Sequence, residues 1–319
     1  MECKRCINTS DNSFIRFNNA GYCAVCEVYE KYFDAGMLKK ELIFLQSFAK
    51  KRKGKYNVMV GLSGGKDSSA TLYLAKKIGL SPLAFSLNTG YFPDYIFRRA
   101  KAVAKACKTD YKILTIKQYV TKKTIQKFRQ MSMLYERNNK NEFTDDYVKG
   151  RIGYQGIVRP CWVCRNILIR AYYNEALKHN VQIVILGINE WTCLKKSTTK
   201  KRLSFSAIRK LKPFKNKPAV FIVHLPFLLQ MKLRETKNIL KRIRWNYYKK
   251  VQSNAYSCLL ACAAEKQLYK NLGFHPDTTR LAREVTVGFL SKKEARNALK
   301  RVKTCRYTVK EVLSKADIT

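Results

Sequence analysis

Residues 60–69 read VGLSGGKDSS. The apolar run Asn57–Leu62 is typical of a short buried strand, and Ser68–Ile78 favours a helix. Glycines between a strand and a helix let the backbone turn tightly and approach a phosphate, to which the helix N-terminus offers free N–H groups. The serines add hydroxyl donors, Lys66 can balance phosphate charge, and the Asp67 carboxylate can help to hold Mg²⁺. The stretch therefore predicts a nucleotide-phosphate loop.

Strand and helix patterns alternate on both sides of this loop. The further predicted strands are Leu83–Leu87, Tyr111–Ile116, Val181–Leu186 and Val220–Leu225, and the predicted helices include Glu27–Phe48, Asp94–Cys107, Thr121–Arg137 and Asn166–His179. Such alternation predicts an α/β fold with a doubly wound parallel sheet, in which ligands bind at the carboxyl ends of the strands. After residue 225 the pattern is mostly helical.

The loop is not a Walker A motif, because Val60 and Asp67 stand where that motif needs Gly and Ser or Thr. It resembles the PP-loop of the ATP pyrophosphatases, which cleave ATP between the α- and β-phosphates and pass AMP to a substrate oxygen. The resemblance covers residues 57–190 and implies a HUP/PP-loop sheet that uses ATP and Mg²⁺. It also implies that Asn88 lies beside the adenosine, and that Gly187 and Asn189 form a G-x-N loop beside the adenylate. The predicted ATP-binding residues are Leu62, Ser63, Gly64, Gly65, Lys66, Asp67, Ser68, Ser69, Asn88, Gly187 and Asn189, of which Lys66 and Asp67 are also predicted to be catalytic.

Four cysteines near the N-terminus form two CxxC pairs separated by sixteen residues, and they are Cys3, Cys6, Cys23 and Cys26. Two close pairs separated by a hairpin-length loop can bring four thiolates together around one Zn²⁺. Between the pairs, Phe14–Phe17 alternates like a strand and Asn18–Gly21 is a predicted turn. We expect a structural zinc ribbon here, with unligated thiols as the alternative.

A third CxxC pair, Cys161 and Cys164, lies at the start of a predicted helix. On the residues alone, the pair could carry sulfur, bind zinc, or bind an iron–sulfur cluster together with one further cysteine. The chain resembles the tRNA two-thiouridine and two-thiocytidine synthetases, in which a central CxxC and a later cysteine hold a [4Fe-4S] cluster. That resemblance implies Cys258, rather than Cys262, as the third ligand, and it implies catalytic roles for the three cysteines.

The charge of the chain points to an acidic partner. The 319 residues include 64 Lys and Arg against 22 Asp and Glu, which gives a formal charge of +42. Hydrophobic residues make up 46%, so the chain can bury a core and is not a disordered basic tail. We expect two basic segments to contact RNA: Lys195–Lys217, as a loop that binds phosphates, and Lys241–Lys250, whose aromatic residues could stack on bases. Three histidines far apart in the sequence argue against His-based catalysis.

These features predict four regions: a zinc ribbon over residues 1–30, a helical linker over 31–56, a PP-loop ATP-binding domain over 57–225 and a helical region over 226–319. No apolar run is long enough to span a bilayer and no secretory signal is visible, so a cytoplasmic location is expected. The implied function is adenylation of a substrate carbonyl oxygen followed by its replacement with sulfur, with tRNA as the first candidate substrate. A sulfur donor protein or sulfide is an expected partner, and a homodimer is left open.

The alternative function is amidation of a sugar. The segments CKRC (residues 3–6) and GYCAVCEVYE (residues 21–30), together with Pro160-Cys161-Trp162, resemble N-acetyl sugar amidotransferases, which receive ammonia from a glutaminase partner. The tRNA thiolases usually carry His at the position of Ile188 and acidic residues at those of Trp191 and Thr192. Glu190 is the nearest substitute for their catalytic acid.

Overall fold

The computed structural model describes residues 1–12, 15–52, 54–129, 160–196, 203–211, 216–245, 258–272, 274–275, 277–300 and 306–316. The strands are β1 Val58–Gly61, β2 Pro82–Asn88, β3 Tyr111–Thr115, β4 Ile183–Leu186, β5 Cys193–Lys196, β6 Leu203–Ser206, β7 Ile208–Leu211 and β8 Val220–His224. The helices up to β8 are α1 Ala24–Tyr32, α2 Ala35–Lys50, α3 Lys66–Lys77, α4 Asp94–Ala106, α5 Lys122–Arg129 and α6 Pro160–Lys178. Those after β8 are α7 Leu225–Leu228, α8 Leu233–Arg242, α9 Leu259–Leu272, α10 Asp277–Thr286, α11 Lys292–Leu299 and α12 Val309–Lys315.

Six of the described strands form the main sheet, in the order β3-β2-β1-β4-β8-β7. All pairs are parallel except β7 with β8, so an antiparallel strand that the sequence pattern missed closes one edge. Met59 in β1 pairs with Leu83 on one side and with Val184 on the other. The strand order therefore reverses between β1 and β4, and a crevice for a ligand is expected at the carboxyl ends of these two strands.

Both faces of the sheet are covered, as a doubly wound fold requires. Val60 and Ile185 pack into the same cluster as Leu72 of α3, whereas Met59 and Val184 pack against Tyr173 of α6. This division follows from the period of two in a strand, which sends successive side chains to opposite faces. The predicted α/β fold is confirmed, and every described element after β8 is a helix.

Two sequence-based expectations about local structure are wrong. The predicted helix Glu27–Phe48 is two helices, because the Asp34 side chain accepts a hydrogen bond from the N–H of Gly36 (3.0 Å) and so begins α2. The segment Lys195–Lys217 is not a loop, since it contains β6, β7 and the end of β5, with Phe205 and Ile208 buried. Residues 204–208 are buried in succession, so this part of the segment belongs to the core despite the cations around it. Residues 197–202 and 212–215 of that segment lie outside the described residues.

Helix α2 packs against the neighbouring strands through one buried carboxylate, that of Glu41. Glu41 accepts hydrogen bonds from the N–H of Ala207 (2.7 Å) and from Lys195 Nζ (3.2 Å).

No helix in the described part of the chain is both long and apolar enough to cross a membrane.

Candidate nucleotide-binding site

The predicted phosphate loop connects β1 to α3 in the structure. Gly64 has a φ of +69°, and a Cβ on it would lie 3.0 Å from Ile96 O and from Ala100 N of α4. Only glycine fits a left-handed conformation pressed this closely against another helix. The loop thus packs tightly on α4 and leaves its other side to a ligand.

The loop serines are joined by hydrogen bonds that shape this turn. Ser63 N–H donates to Ser68 Oγ (3.1 Å), the two hydroxyl oxygens lie 3.0 Å apart, and Gly65 N–H faces Ser63 Oγ at 3.4 Å. Gly65 is the N-cap of α3 and has no side chain that could cap the helix. The first N–H groups of α3 are therefore available to an anion, and the helix dipole favours one there.

Lys66 and Asp67 form an ion pair at the start of α3. Lys66 Nζ lies 2.7 Å from both carboxylate oxygens of Asp67, and it lies 5.0 Å from the centre of the Phe289 ring. The pair places one cation and one carboxylate beside the loop, as expected for residues that bind a phosphate and its Mg²⁺.

The end of β4 lies directly against the start of α3. A Cβ on Gly187 would be 2.7 Å from both the Cα and the N of Ser68. Asn189 follows two residues later, is 6% exposed, and has no hydrogen-bond partner for Oδ1 among the described residues. Gly187 and Asn189 thus lie at the switch point beside the phosphate loop, and an amide oxygen buried there is available to a ligand.

Gly187→Ala is expected to weaken ATP binding at least tenfold, because the new methyl group would push α3 away from β4 and distort the loop. Backbone atoms at 2.7 Å cannot yield as a flexible side chain would. Isothermal titration with ATP measures the loss. Gly79→Ala serves as the control, since a Cβ there meets nothing within 4 Å although its φ of +85° carries some strain. Equal ATP affinities for the two variants would contradict the prediction.

Two other predicted ATP-binding residues have structural partners. Leu62 is 1% exposed and its N–H donates to Phe85 O (2.7 Å), so its side chain belongs to the core. Asn88 ends β2, and its Oδ1 accepts a hydrogen bond from Gly90 N–H (2.9 Å). Asn88 therefore shapes the turn after β2, at the same edge of the sheet as the phosphate loop.

Helix α10 supplies charged residues that sequence reasoning missed. Arg280 donates to both oxygens of Asp277 (2.7 Å each) and to Glu284 (2.8 Å), and these side chains are at most 15% exposed. Burial alone would lower the pKa of Arg280, but Asp277, Glu284 and Asp67 raise it well above its usual value. Burial raises the pKa of Glu284, on which the charges of Lys66 and Asp67 also act. The sequence spacing of three and four residues between these charges was the pattern that could have predicted the ion pairs.

Glu190, the nearest substitute for a thiolase acid, is engaged by the same helix. Its carboxylate lies 3.0 Å from Arg283 of α10, and its carbonyl oxygen lies 2.7 Å from His224 Nδ1. Trp191 is fully buried, and the Thr192 hydroxyl donates to Ser206 O (2.9 Å). The residues after the G-x-N loop therefore serve packing and ion pairing.

The four N-terminal cysteines come together as predicted. The Sγ atoms of Cys3, Cys6, Cys23 and Cys26 all lie within 4.8 Å of one another, and all four residues are at most 1% exposed. Asn8 donates from its backbone N–H to Cys6 Sγ (3.5 Å) and from Nδ2 to Cys23 Sγ (3.4 Å). Four buried sulfurs with N–H donors fit a tetrahedral metal ion, because such donors stabilise thiolate charge. Of the predicted flanking elements, the turn is present, with Gly21 N–H donating to Asn18 O (3.0 Å), while Phe14 lies outside the described residues.

The second cysteine group is also partly assembled. Tyr91 Oη lies 2.9 Å from Cys164 Sγ, and Leu259 N–H, next to Cys258, donates to Tyr91 O (3.2 Å). Burial raises the pKa of Tyr91 far above its usual value, and negative charge on Cys164 and Cys258 raises it further. Cys262 lies one turn further along α9 and is buried in the same cluster. The side chain of Cys161, one turn before Cys164, lies outside the description.

Comparison with known proteins identifies one relative of nearly the whole chain and others of the loop region. A family model described as NAD synthase matches residues 37–153. A protein of Methanocaldococcus jannaschii, described as uncharacterised, is 25% identical over 98% of both chains. The tRNA-specific 2-thiouridylase MnmA 1 of Clostridium tetani is 28% identical over 141 residues, which are 43% of this chain and 35% of that enzyme.

Among solved structures, the NMN synthetase from Francisella tularensis has 14% identity and a TM-score of 0.35, with 89% of this chain and 94% of that chain covered. The NH3-dependent NAD synthetase from Campylobacter jejuni has 13% identity and a TM-score of 0.32, with 84% and 95% covered. Scores this low carry no weight beside the sequence of the loop, its strand–helix setting and the family match. Those three grounds support the PP-loop ATP pyrophosphatase superfamily, and the use of ATP fits the geometry of this loop.

Proposed function

We propose that this protein adenylates a carbonyl oxygen of a tRNA base and then replaces that oxygen with sulfur. The observation that carries the proposal is the meeting of Cys164 and Cys258, 94 positions apart in the sequence, at Tyr91. Two thiols brought together from distant segments form a site that neither segment contains alone.

This cysteine site lies at the same edge of the sheet as the phosphate loop. Helix α6 connects back to the parallel strand β4, so its N-terminal turn, which holds Cys161 and Cys164, is at the carboxyl ends of the strands. Tyr91 follows β2 and the phosphate loop follows β1, its neighbour in the sheet. The arrangement supports a transfer between the two sites within one crevice.

In the first step, the substrate carbonyl oxygen attacks the α-phosphorus of ATP, and the bond to pyrophosphate breaks. Lys66 and the N–H groups at the start of α3 stabilise the charge on the departing pyrophosphate, and Asp67 is the carboxylate that would hold Mg²⁺. In the second step, a sulfide equivalent from a donor attacks the activated carbon, and AMP leaves with the original oxygen. Cys161, Cys164 and Cys258 are the residues that would hold a [4Fe-4S] cluster, which could supply an iron with an open position for sulfide.

The basic surface supports RNA as the substrate. The formal charge of +42 favours a partner with dense negative charge, and Lys241, Arg242 and Arg244 are exposed near the loop-proximal end of α8. The target base must leave its stack to reach a crevice at the strand ends.

Loss of Cys258 is expected to abolish sulfur transfer while leaving ATP binding within about twofold. Mass spectrometry of tRNA nucleosides from a deletion strain identifies the thiolated nucleoside that disappears, and complementation with Cys258→Ala should fail to restore it. Cys193→Ala is the matched control, since Cys193 is a half-buried cysteine of β5 outside both cysteine groups. A deletion strain with unchanged tRNA thiolation would refute tRNA thiolation as the function.

The second candidate is amidation of an N-acetyl sugar with ammonia. It is favoured by the fully buried Trp191 and by the Arg283–Glu190 pair, because they leave no free acid where the tRNA thiolases usually carry one. The N-terminal resemblance to sugar amidotransferases supports it as well. Amidation predicts normal tRNA nucleosides, an altered surface polysaccharide and full complementation by Cys258→Ala in the deletion strain.

A further inference from the structure

The indole of Trp245 contacts the phosphate loop directly. Trp245 follows α8, and its Nε1–H donates a hydrogen bond to the carbonyl oxygen of Gly64 (3.1 Å). The residue belongs to the basic and aromatic segment Lys241–Lys250, which the sequence suggested for stacking on bases. The half-buried ring instead lies against the loop, while residues 246–250 of that segment are outside the described part of the chain.

This hydrogen bond determines the direction of a neighbouring N–H group. The peptide between Gly64 and Gly65 is trans, so its C=O and N–H point in opposite directions. With the Gly64 oxygen held by Trp245, the Gly65 N–H points to the inside of the loop, where it donates a long hydrogen bond to Ser63 Oγ (3.4 Å). Two adjacent glycines have wide rotational freedom, and this peptide is held in one orientation by Trp245 at its C=O and by Ser63 at its N–H.

The indole ring is itself held in place by α4. The guanidinium carbon of Arg99 lies 5.6 Å from the centre of the Trp245 ring and 5.6 Å from that of the Tyr95 ring. The same α4 backbone approaches Gly64 at Ile96 and Ala100. The hydrogen-bond donor and the glycine that accepts from it are thus positioned by one helix.

We propose that Trp245 is a positioning residue for polyphosphate binding, in which the indole N–H keeps the Gly65 N–H turned toward the phosphates of ATP. The inference rests on the use of ATP by this superfamily and is independent of whether sulfur or ammonia is the nucleophile. It also connects Trp245 of the basic segment Lys241–Lys250 to the geometry of the ATP site.

Trp245→Phe tests this role, because it keeps an aromatic ring and removes the N–H. Titration calorimetry with α,β-methylene-ATP and with pyrophosphate should show Kd values raised about tenfold, which corresponds to about 1.4 kcal/mol and to one hydrogen bond. The Kd for AMP should stay within twofold, since AMP lacks the β- and γ-phosphates. Trp191→Phe, at a tryptophan packed on Tyr29 and Phe205, is the matched control and should leave the ratio of ATP to AMP affinity unchanged.

The outcomes separate positioning from general packing. Loss of ATP and pyrophosphate affinity in Trp245→Phe with AMP affinity retained supports the proposal. Unchanged ATP affinity, or an equal loss for AMP, would overturn it. A change in the affinity ratio for Trp191→Phe would also overturn it, because an indole that does not donate to Gly64 would then have the same effect.

Discussion

Cys6→Ser is expected to release the metal from the four-cysteine group and to lower the melting temperature by about 10 °C or more. A structural Zn²⁺ site contributes several kcal/mol to folding, and each kcal/mol shifts the melting temperature of a chain of this size by about 2–4 °C. All four cysteines are almost completely buried, so removal of the metal would leave four thiols packed together with no ion to coordinate. Metal analysis and thermal unfolding of the purified protein measure the two effects.

The effect should extend to ATP binding, because the four-cysteine group contacts α10. Thr286 Oγ1 lies 3.1 Å from Cys26 Sγ, and the Thr286 carbonyl accepts from Arg5 Nε (3.1 Å). Arg280 and Glu284 of the same helix place their charges near Lys66 and Asp67. We therefore expect metal removal to weaken ATP binding as well as stability.

Cys193→Ser provides the control for Cys6→Ser, since it also removes one thiol but leaves the four-cysteine group complete. It should retain the metal and change the melting temperature by only a few degrees. A Cys6→Ser protein that retains one metal ion per chain and the wild-type melting temperature would disprove a structural metal centre at these residues.

Arg280→Met is expected to destabilise the protein by about 3–5 kcal/mol, because it leaves two carboxylates buried without their cation. Asp277 and Glu284 have side chains that are 1% and 10% exposed, so water cannot replace the guanidinium. The free energy of unfolding of Arg280→Lys should lie between those of the wild type and Arg280→Met. Lysine keeps the positive charge, but it cannot donate to both carboxylates as the guanidinium does. Chemical denaturation at neutral pH gives the free energy of unfolding for each variant.

The stability deficit of Arg280→Met, which is its loss of unfolding free energy relative to the wild type, should depend on pH. Burial already raises the pKa of Glu284, and loss of Arg280 raises it further. A carboxyl group with a raised pKa in the folded state favours folding less as pH rises, so the deficit should grow from mildly acidic to mildly alkaline pH. Arg296→Met, which removes an exposed partner of Glu2, is the control and should cost at most about 1 kcal/mol at any of these pH values. A deficit for Arg280→Met as small as that of the control would contradict the assigned role.

Short-range patterns predicted the elements that depend on neighbours in the chain. The loop from Leu62 to Gly65 lies between a strand and a helix as expected, since glycine spacing and apolar runs act locally. The capping box that begins α11, with Ser291 Oγ accepting from Glu294 N–H (3.2 Å), follows from the same kind of signal. The burial of Phe205 and Ile208 was missed because the many cations of the segment Lys195–Lys217 favoured an exposed loop.

The sequence by itself therefore indicated the superfamily, the phosphate loop and the grouping of the N-terminal cysteines, because each is encoded within a few dozen consecutive residues. Only the tertiary structure decided that α10 brings buried charges to Lys66 and Asp67, that Glu190 pairs with Arg283, and that Trp245 holds Gly64. These contacts join residues 93 or more positions apart, as with Arg283 and Glu190, and they form only when helices pack on the carboxyl edge of the sheet. No local propensity distinguishes such residues from other charged or aromatic positions on a helix surface.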